Sequence, residues 1–223
     1  MNLLFSLFFL LCCSDKDNSQ PTTTTVYRGE QSDDNSSAGS NASSESRIEA
    51  KLGVSEPTAR VQGSLLERHK KIGNTPEDAI ALWIEAVIRA QNGEEEGWEA
   101  IGALTIDGFS KQRLQASETW RKELAAYFRK KLDSTDPCFR SLIVGAHPKN
   151  DYEVDMSNIR VEIKSYEGKE QYGHKYFVES SGARARPIYL KQSDKTGLLY
   201  VSNYSSLYVD VRPAIDENQE HFR

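Results

Sequence analysis

The chain has 223 residues, 38% of them hydrophobic, and carries 28 Lys and Arg against 33 Asp and Glu, a net charge of -5. That length allows one domain of ordinary size with appendages. The mildly acidic balance excludes the broad positive field that nucleic-acid binding needs, and three cysteines and four histidines without ligand spacing exclude a disulfide framework or a metal site.

The chain opens on an apolar run, residues 3–11, that ends in Cys12 and Cys13 and gives way at once to "SDKDNSQPTTTT". The run is about a third to a half of the ~20 residues that span a bilayer as a helix. Its length fits the apolar core of a signal peptide. Two adjacent thiols cannot usefully staple a chain, which leaves lipid attachment as the chemistry for the pair, with ordinary secretion as the alternative reading of the segment. "LLCC" resembles the lipobox of bacterial lipoproteins, in which a Leu stands three residues before the Cys that becomes the new N-terminus. The resemblance implies a signal peptide over 1–12 and acylation of Cys13, with Leu10 as the upstream Leu. Cys12 stands where the pattern has Gly, Ala or Ser, and Met1 and Asn2 bring no positive charge. Two or more acyl chains hold a domain stably at a membrane where one does not. Ser14 follows the Cys in place of the Asp that resembles an inner-membrane retention signal, which favours the outer membrane.

Residues 13–46 are rich in Ser, Thr, Asn and Asp and nearly free of apolar side chains, so nothing offsets the entropy of ordering them. A disordered, flexible tether of this length reaches roughly 30 Å. Residues 47–73 form a lead-in. Ile48, Leu52, Val54, Leu65 and Leu66 are scattered there among Gly53, Pro57 and Gly63, with a short helix near "SLLERHKK".

A domain is expected over 74–213, followed by a tail, 214–223. Its first helix begins at Thr75 as N-cap and Pro76 at the first helical position. Asp78 stands in the capping-box place, and Ile80, Trp83, Ile84, Val87 and Ile88 form the apolar stripe up to Asn92 and Gly93. A second helix covers "EEEGWEAIGALT", burying Trp98, Ile101 and Leu104. A third covers "SETWRKELAAYFRKKL", with Trp120, Leu124, Tyr127 and Phe128 as its stripe. Past Pro137 the pattern turns to strands: "CFRSLIVGA", then "YEVDMSNIRVEIKSY", in which Ile159, Val161 and Ile163 alternate with Arg160, Glu162 and Lys164. "QYGHKYFVES", "ARPIYLKQ", "GLLYVSNY" and "SSLYVDVRP" follow, with "EGKE", "SSGAR" and "SDKTG" as turns. Short connections imply antiparallel neighbours. The expected class is α+β, about three helices on a curved antiparallel sheet of five or six strands.

"TPEDAIALWIEAVIRAQNG" followed by "GWEAIGALT", with the closing "ARPIYLKQSDKTGLLYVSNYSSLYVDVRP", resembles the cone-shaped domains of the nuclear transport factor 2-like superfamily, and uncharacterised bacterial lipoproteins built on that fold. The resemblance covers 74–213. It implies helices over the dry face of the sheet and dimers made through the sheets. The superfamily holds isomerase-like and dehydratase-like enzymes beside binding modules, so no activity follows from it.

The strongest sign of chemistry is "YGHKY". Tyr172, His174 and Tyr176 alternate and so share one face of a strand. Facing the interior, His174 would be a general base and a Tyr the donor to a developing oxyanion, with Asp155 orienting the His. Facing solvent, as Arg160, Glu162 and Lys164 do, they would carry no chemistry. Cys138, opening a strand beside Pro137, reads as a small buried hydrophobe. Tyr189, Tyr200 and Tyr208 on alternating strand positions offer a partner surface, against the ordinary strand propensity of Tyr. No cofactor is implied. The expectation is a membrane-anchored envelope lipoprotein with a non-catalytic binding or scaffolding domain, its partner a second copy or another envelope protein met through the sheet face. The alternative is a small-molecule sensor, or an isomerase- or hydrolase-like enzyme, using the cone pocket.

Overall fold

A computed structural model of the chain describes residues 52–106, 122–132 and 136–215. Cys13, the signal peptide, the tether, residues 47–51, Trp120, the side chains of Leu124 and Tyr127, and the tail beyond 215 lie outside the described residues. Residues Ser46–Arg223 form one compact unit.

That unit is α+β, with helices and a five-stranded antiparallel sheet. It runs β1 (Gly53–Val54), a 3-10 turn (Thr58–Arg60), α1 (Leu65–Ile72), α2 (Pro76–Gln91), α3 (Glu95–Leu104), α4 (Lys122–Leu132), a one-turn α5 (Pro137–Arg140), then β2 (Glu162–Glu170), β3 (Gly173–Val178), β4 (Arg186–Gln192) and β5 (Leu199–Asn203). The sheet is a simple meander in the order β1-β2-β3-β4-β5.

Capping chemistry starts the helices where the sequence places it. Ser64 and Glu67 form a reciprocal capping box on α1. The Thr75 hydroxyl accepts from the Asp78 amide at 3.3 Å and donates to its carboxylate at 2.9 Å at the start of α2. The α2 helix is buried on nearly every side, with only Glu77, Arg89 and Gln91 escaping burial. It packs against α1, α3, α4, α5 and β5, so it is the axis of the domain rather than a one-faced cover. Small residues let α3 approach closely: a Cβ on Gly97 would lie 2.3 Å from the Ala90 amide nitrogen and 2.6 Å from the Ala86 carbonyl oxygen.

The inner face of the sheet is closed by Ile163, Tyr176, Val178, Ile188, Leu190, Leu199 and Val201, each essentially fully buried. Trp83, Phe128, Phe139, Tyr204 and Tyr208 form an aromatic cluster in the same core, with neighbouring ring centroids 4.8–6.2 Å apart. The free edge of β5 is tied down at its first residue and at its middle. Its Leu199 amide donates to the Gly73 carbonyl at 2.8 Å, and the Ile106 amide donates to the Val201 carbonyl at 2.8 Å.

Four sequence expectations are corrected. "CFRSLIVGA" is a helical turn and a loop, not a strand. The Asp136 carboxylate caps the Cys138 amide at 3.0 Å with Pro137 at the first position, and the buried Cys138, Phe139, Leu142 and Ile143 follow helical spacing. "EGKE" is not a turn: β2 runs on through it to Glu170, absorbing Gly168 at φ +89° in a register irregularity. "SSLYVDVRP" is not a strand. Tyr204, Leu207 and Tyr208 turn inward together, with the Leu207 amide bonded to the Tyr204 carbonyl at 2.9 Å. Finally, the lead-in supplies β1 and α1, so the helices outnumber the three expected and the fifth strand comes from ahead of the domain start read at residue 74.

Candidate functional site

The strands β2 and β3 bring together a cluster only partly visible in "YGHKY". In their register Tyr166 stands opposite Tyr176, and Lys169 opposite His174. The Tyr166 hydroxyl and His174 Nδ1 are 2.7 Å apart, and their rings stack at 5.9 Å. Tyr166 also stacks on Tyr176 at 4.9 Å. His174 is half-buried and Tyr166 is 36% exposed, so solvent reaches this pair. Tyr176 is fully buried, and its hydroxyl has no hydrogen-bond partner among the described residues. Burial, then the charges of Tyr166 and Glu77, push its ionisation far above the ordinary tyrosine range, so it stays a neutral donor. When Tyr166 donates to Nδ1, the His174 proton sits on Nε2.

Tyr172 does not join them. Because β2 continues to Glu170, Tyr172 falls in the tight turn before β3, 45% exposed, and its ring meets Tyr189 edge-on at 5.7 Å. Asp155 does not orient His174. Its carboxylate accepts from the Ser157 amide at 2.9 Å and hydroxyl at 2.7 Å, bonds that hold it below the usual carboxylate range.

The outer face of the sheet carries the opposite parity. Lys175, Phe177 and Tyr189 are half-buried there. Lys175 Nζ lies 2.8 Å from the Glu167 carboxylate and 3.3 Å from that of Glu170, and 5.1 Å from the Phe177 ring centroid. The bond to Glu167 leads the causes that raise its ammonium to about 12, against a smaller cost of burial. The Tyr189 hydroxyl donates to Glu170 at 3.1 Å. Of the tyrosines expected to form a partner surface, Tyr189 is on this face and Tyr200 is half-buried against the His69 ring, 5.0 Å away. Tyr208 is not on it: it is 3% exposed in the core, 5.4 Å from the Phe128 ring, because its segment turns inward instead of extending the sheet.

Two polar centres escaped the sequence reading. The buried Glu85 carboxylate accepts from Arg68 Nη1 at 3.0 Å and Nη2 at 2.5 Å, from Arg89 Nε at 3.0 Å and from the Thr58 hydroxyl at 2.6 Å. It thus ties the 3-10 turn and α1 to α2. The signal was present: Glu85 sits in "IALWIEAVIRA", a stretch too apolar all round to leave it a wet face. His69, placed in the lead-in by sequence, is buried on α1 with Nε2 2.8 Å from the Leu199 carbonyl oxygen. Burial lowers its ionisation below the ordinary value, against the opposing pull of that carbonyl. Cys138 is fully buried in α5, and burial and then Asp136 push its thiol far up, so it is no nucleophile. Among the described residues no group of three His, Cys, Asp or Glu side chains is placed to hold a metal ion, and no helix is long and apolar enough to cross a membrane.

Residues 60–215 match the family described as a domain of unknown function, DUF6935. The chain belongs to that family. The matched span takes in α1 to β5 and both polar centres, but begins after β1 and Thr58. No curated protein and no solved structure matches the chain.

Proposed function

We propose that this DUF6935 chain is a lipid-anchored protein of the bacterial cell envelope, held through acylated Cys13, with the domain after the tether serving as a non-catalytic binding or scaffolding module. The observation that carries the proposal is the apolar run 3–11 meeting Cys12 and Cys13 and followed without interruption by the polar stretch 14–46. Ser14 favours the outer membrane. Growth with labelled palmitate tests it: label enters the wild-type chain and is lost in Cys13→Ser, and label retained by the variant contradicts it.

The helices-then-meander order supports reading the domain as a cone-shaped module of the nuclear transport factor 2-like kind. The inner face of the sheet is filled with apolar side chains, while the outer face presents Tyr172, Phe177 and Tyr189. That contrast favours docking of a second copy or an envelope protein on the outside over chemistry inside. Each such Tyr anchor is worth about one factor of ten in affinity. Tyr172→Glu with Tyr189→Glu is therefore expected to cut partner crosslinking at the envelope by about tenfold or more while thermal stability holds. Unchanged crosslinking contradicts the outer face as the docking surface.

A second reading, a small-molecule sensor or an isomerase- or hydrolase-like site, is favoured by the solvent-reached Tyr166 and His174 pair beside the unpartnered Tyr176 hydroxyl. A ligand-induced stabilisation seen equally in wild type and His174→Ala contradicts that reading.

A further inference from the structure

We propose that residues 52–60 form an exchangeable strap, and that a second copy of this chain supplies the same strap in trans to give a strand-swapped dimer. The strap crosses the open edge of β2 on few contacts. Gly53 and Val54 pair with Ile163 and Glu162. The Ser55 amide donates to the Val161 carbonyl at 2.8 Å, and the Val161 amide donates back to the Ser55 hydroxyl at 3.0 Å. The Thr58 amide donates to the Ile159 carbonyl at 3.1 Å and its hydroxyl to Glu85 at 2.6 Å; Arg60 reaches the Asp78 carboxylate at 2.7 Å.

None of these contacts buries an apolar side chain of the strap. Leu52 is 54% and Val54 49% exposed, Ala59 is exposed, and Pro57 is only half-buried. A segment that buries only the small side chains of Ser55 and Thr58 gains little of the area term that fixes the rest of the domain, which puts it toward the low end of local stability. The strap is nonetheless specific. Its two buried residues, Ser55 and Thr58, meet the backbone of Ile159 and Val161 and the Glu85 carboxylate. The strap of a second copy remakes every one of these bonds by identity, which an unrelated peptide does not, and this selects the occupant. The hinge is the short link to α1. Gly63 there has φ +122°, and a Cβ on it would stand 2.6 Å from the Glu67 carboxylate in the closed form. An opened link releases both constraints.

The test uses the full-length chain with Cys12→Ser and Cys13→Ser, carrying Val54→Cys and Glu162→Cys. These two positions are register partners, and the Glu162 carbonyl bonds toward β3, which leaves the pair with Val54 in the close, non-hydrogen-bonded geometry that accepts a disulfide. Cys138 is buried and does not compete. After incubation at increasing protein concentration and oxidation, a covalent dimer is expected whose share rises with concentration, is absent from either single-cysteine chain, and grows several-fold with Gly63→Ala. A disulfide closed only within each monomer at every concentration, with and without Gly63→Ala, overturns the proposal. A covalent dimer appearing equally in the single-cysteine chains also overturns it.

Discussion

His69 shows how one buried side chain gives the fold a pH response. Its folded-state ionisation is depressed by burial, so the unfolded chain binds the proton more readily. The stability it contributes is complete above about pH 6.5, the ordinary histidine value, and is lost as pH falls from there toward the lower folded value. Urea unfolding is expected to show stability falling with acid over that window. His69→Gln keeps a donor for the Leu199 carbonyl and should flatten that part of the profile; an unchanged slope in the variant would show that another group titrates. Glu85 gives a larger effect. Glu85→Gln leaves Arg68, 4% exposed, beside a neutral amide, and breaking a buried pair from one side costs about 3–5 kcal/mol. Denaturant unfolding checks the figure. A loss below about 1 kcal/mol, the range of surface pairs, would mean that water reaches this network in solution.

Elements were legible wherever a local rule and the tertiary context agreed. Thr75 and Pro76 place the start of α2, the short helix read near "SLLERHKK" is α1, and the alternation of Ile159, Val161 and Ile163 marks buried positions, although β2 itself begins only at Glu162. Two of the misreadings have one physical cause, apolar content taken for strand where the spacing is helical, while "EGKE" is the reverse case, a polar stretch that continues a strand. In "CFRSLIVGA" the Asp136 cap decides the conformation, and in "SSLYVDVRP" the core draws in the adjacent Leu207 and Tyr208 together, which an alternating strand does not do. The candidate cluster was half legible. His174 and Tyr176 share a face as alternation requires. Tyr166 arrives from the neighbouring strand, and only the register across the β2 irregularities brings it there. At this scale the tight seam between α2 and α3 is testable. Gly97→Ala gains helix propensity but drives a methyl into the backbone of Ala86 and Ala90. A net loss of about 1–3 kcal/mol is expected in thermal unfolding, and a gain would show that the helices separate freely.

At the scale of the whole molecule, the chain divides its work along its length. In the proposed role the residues before the domain serve as an address, while the domain itself carries a closed apolar interior, a polar latch at Glu85 and an aromatic outer face. A module of that kind suits being held at a surface and meeting its partner from outside. The proposed acylation at Cys13 is the step on which the proposed envelope role depends, and the intact mass of the protein extracted from the membrane fraction measures it directly. The expected mass is that of a chain beginning at Cys13 with fatty acyl groups attached. A mass matching an unmodified chain, with residues 1–12 present or absent, would contradict lipid anchoring and with it the envelope role.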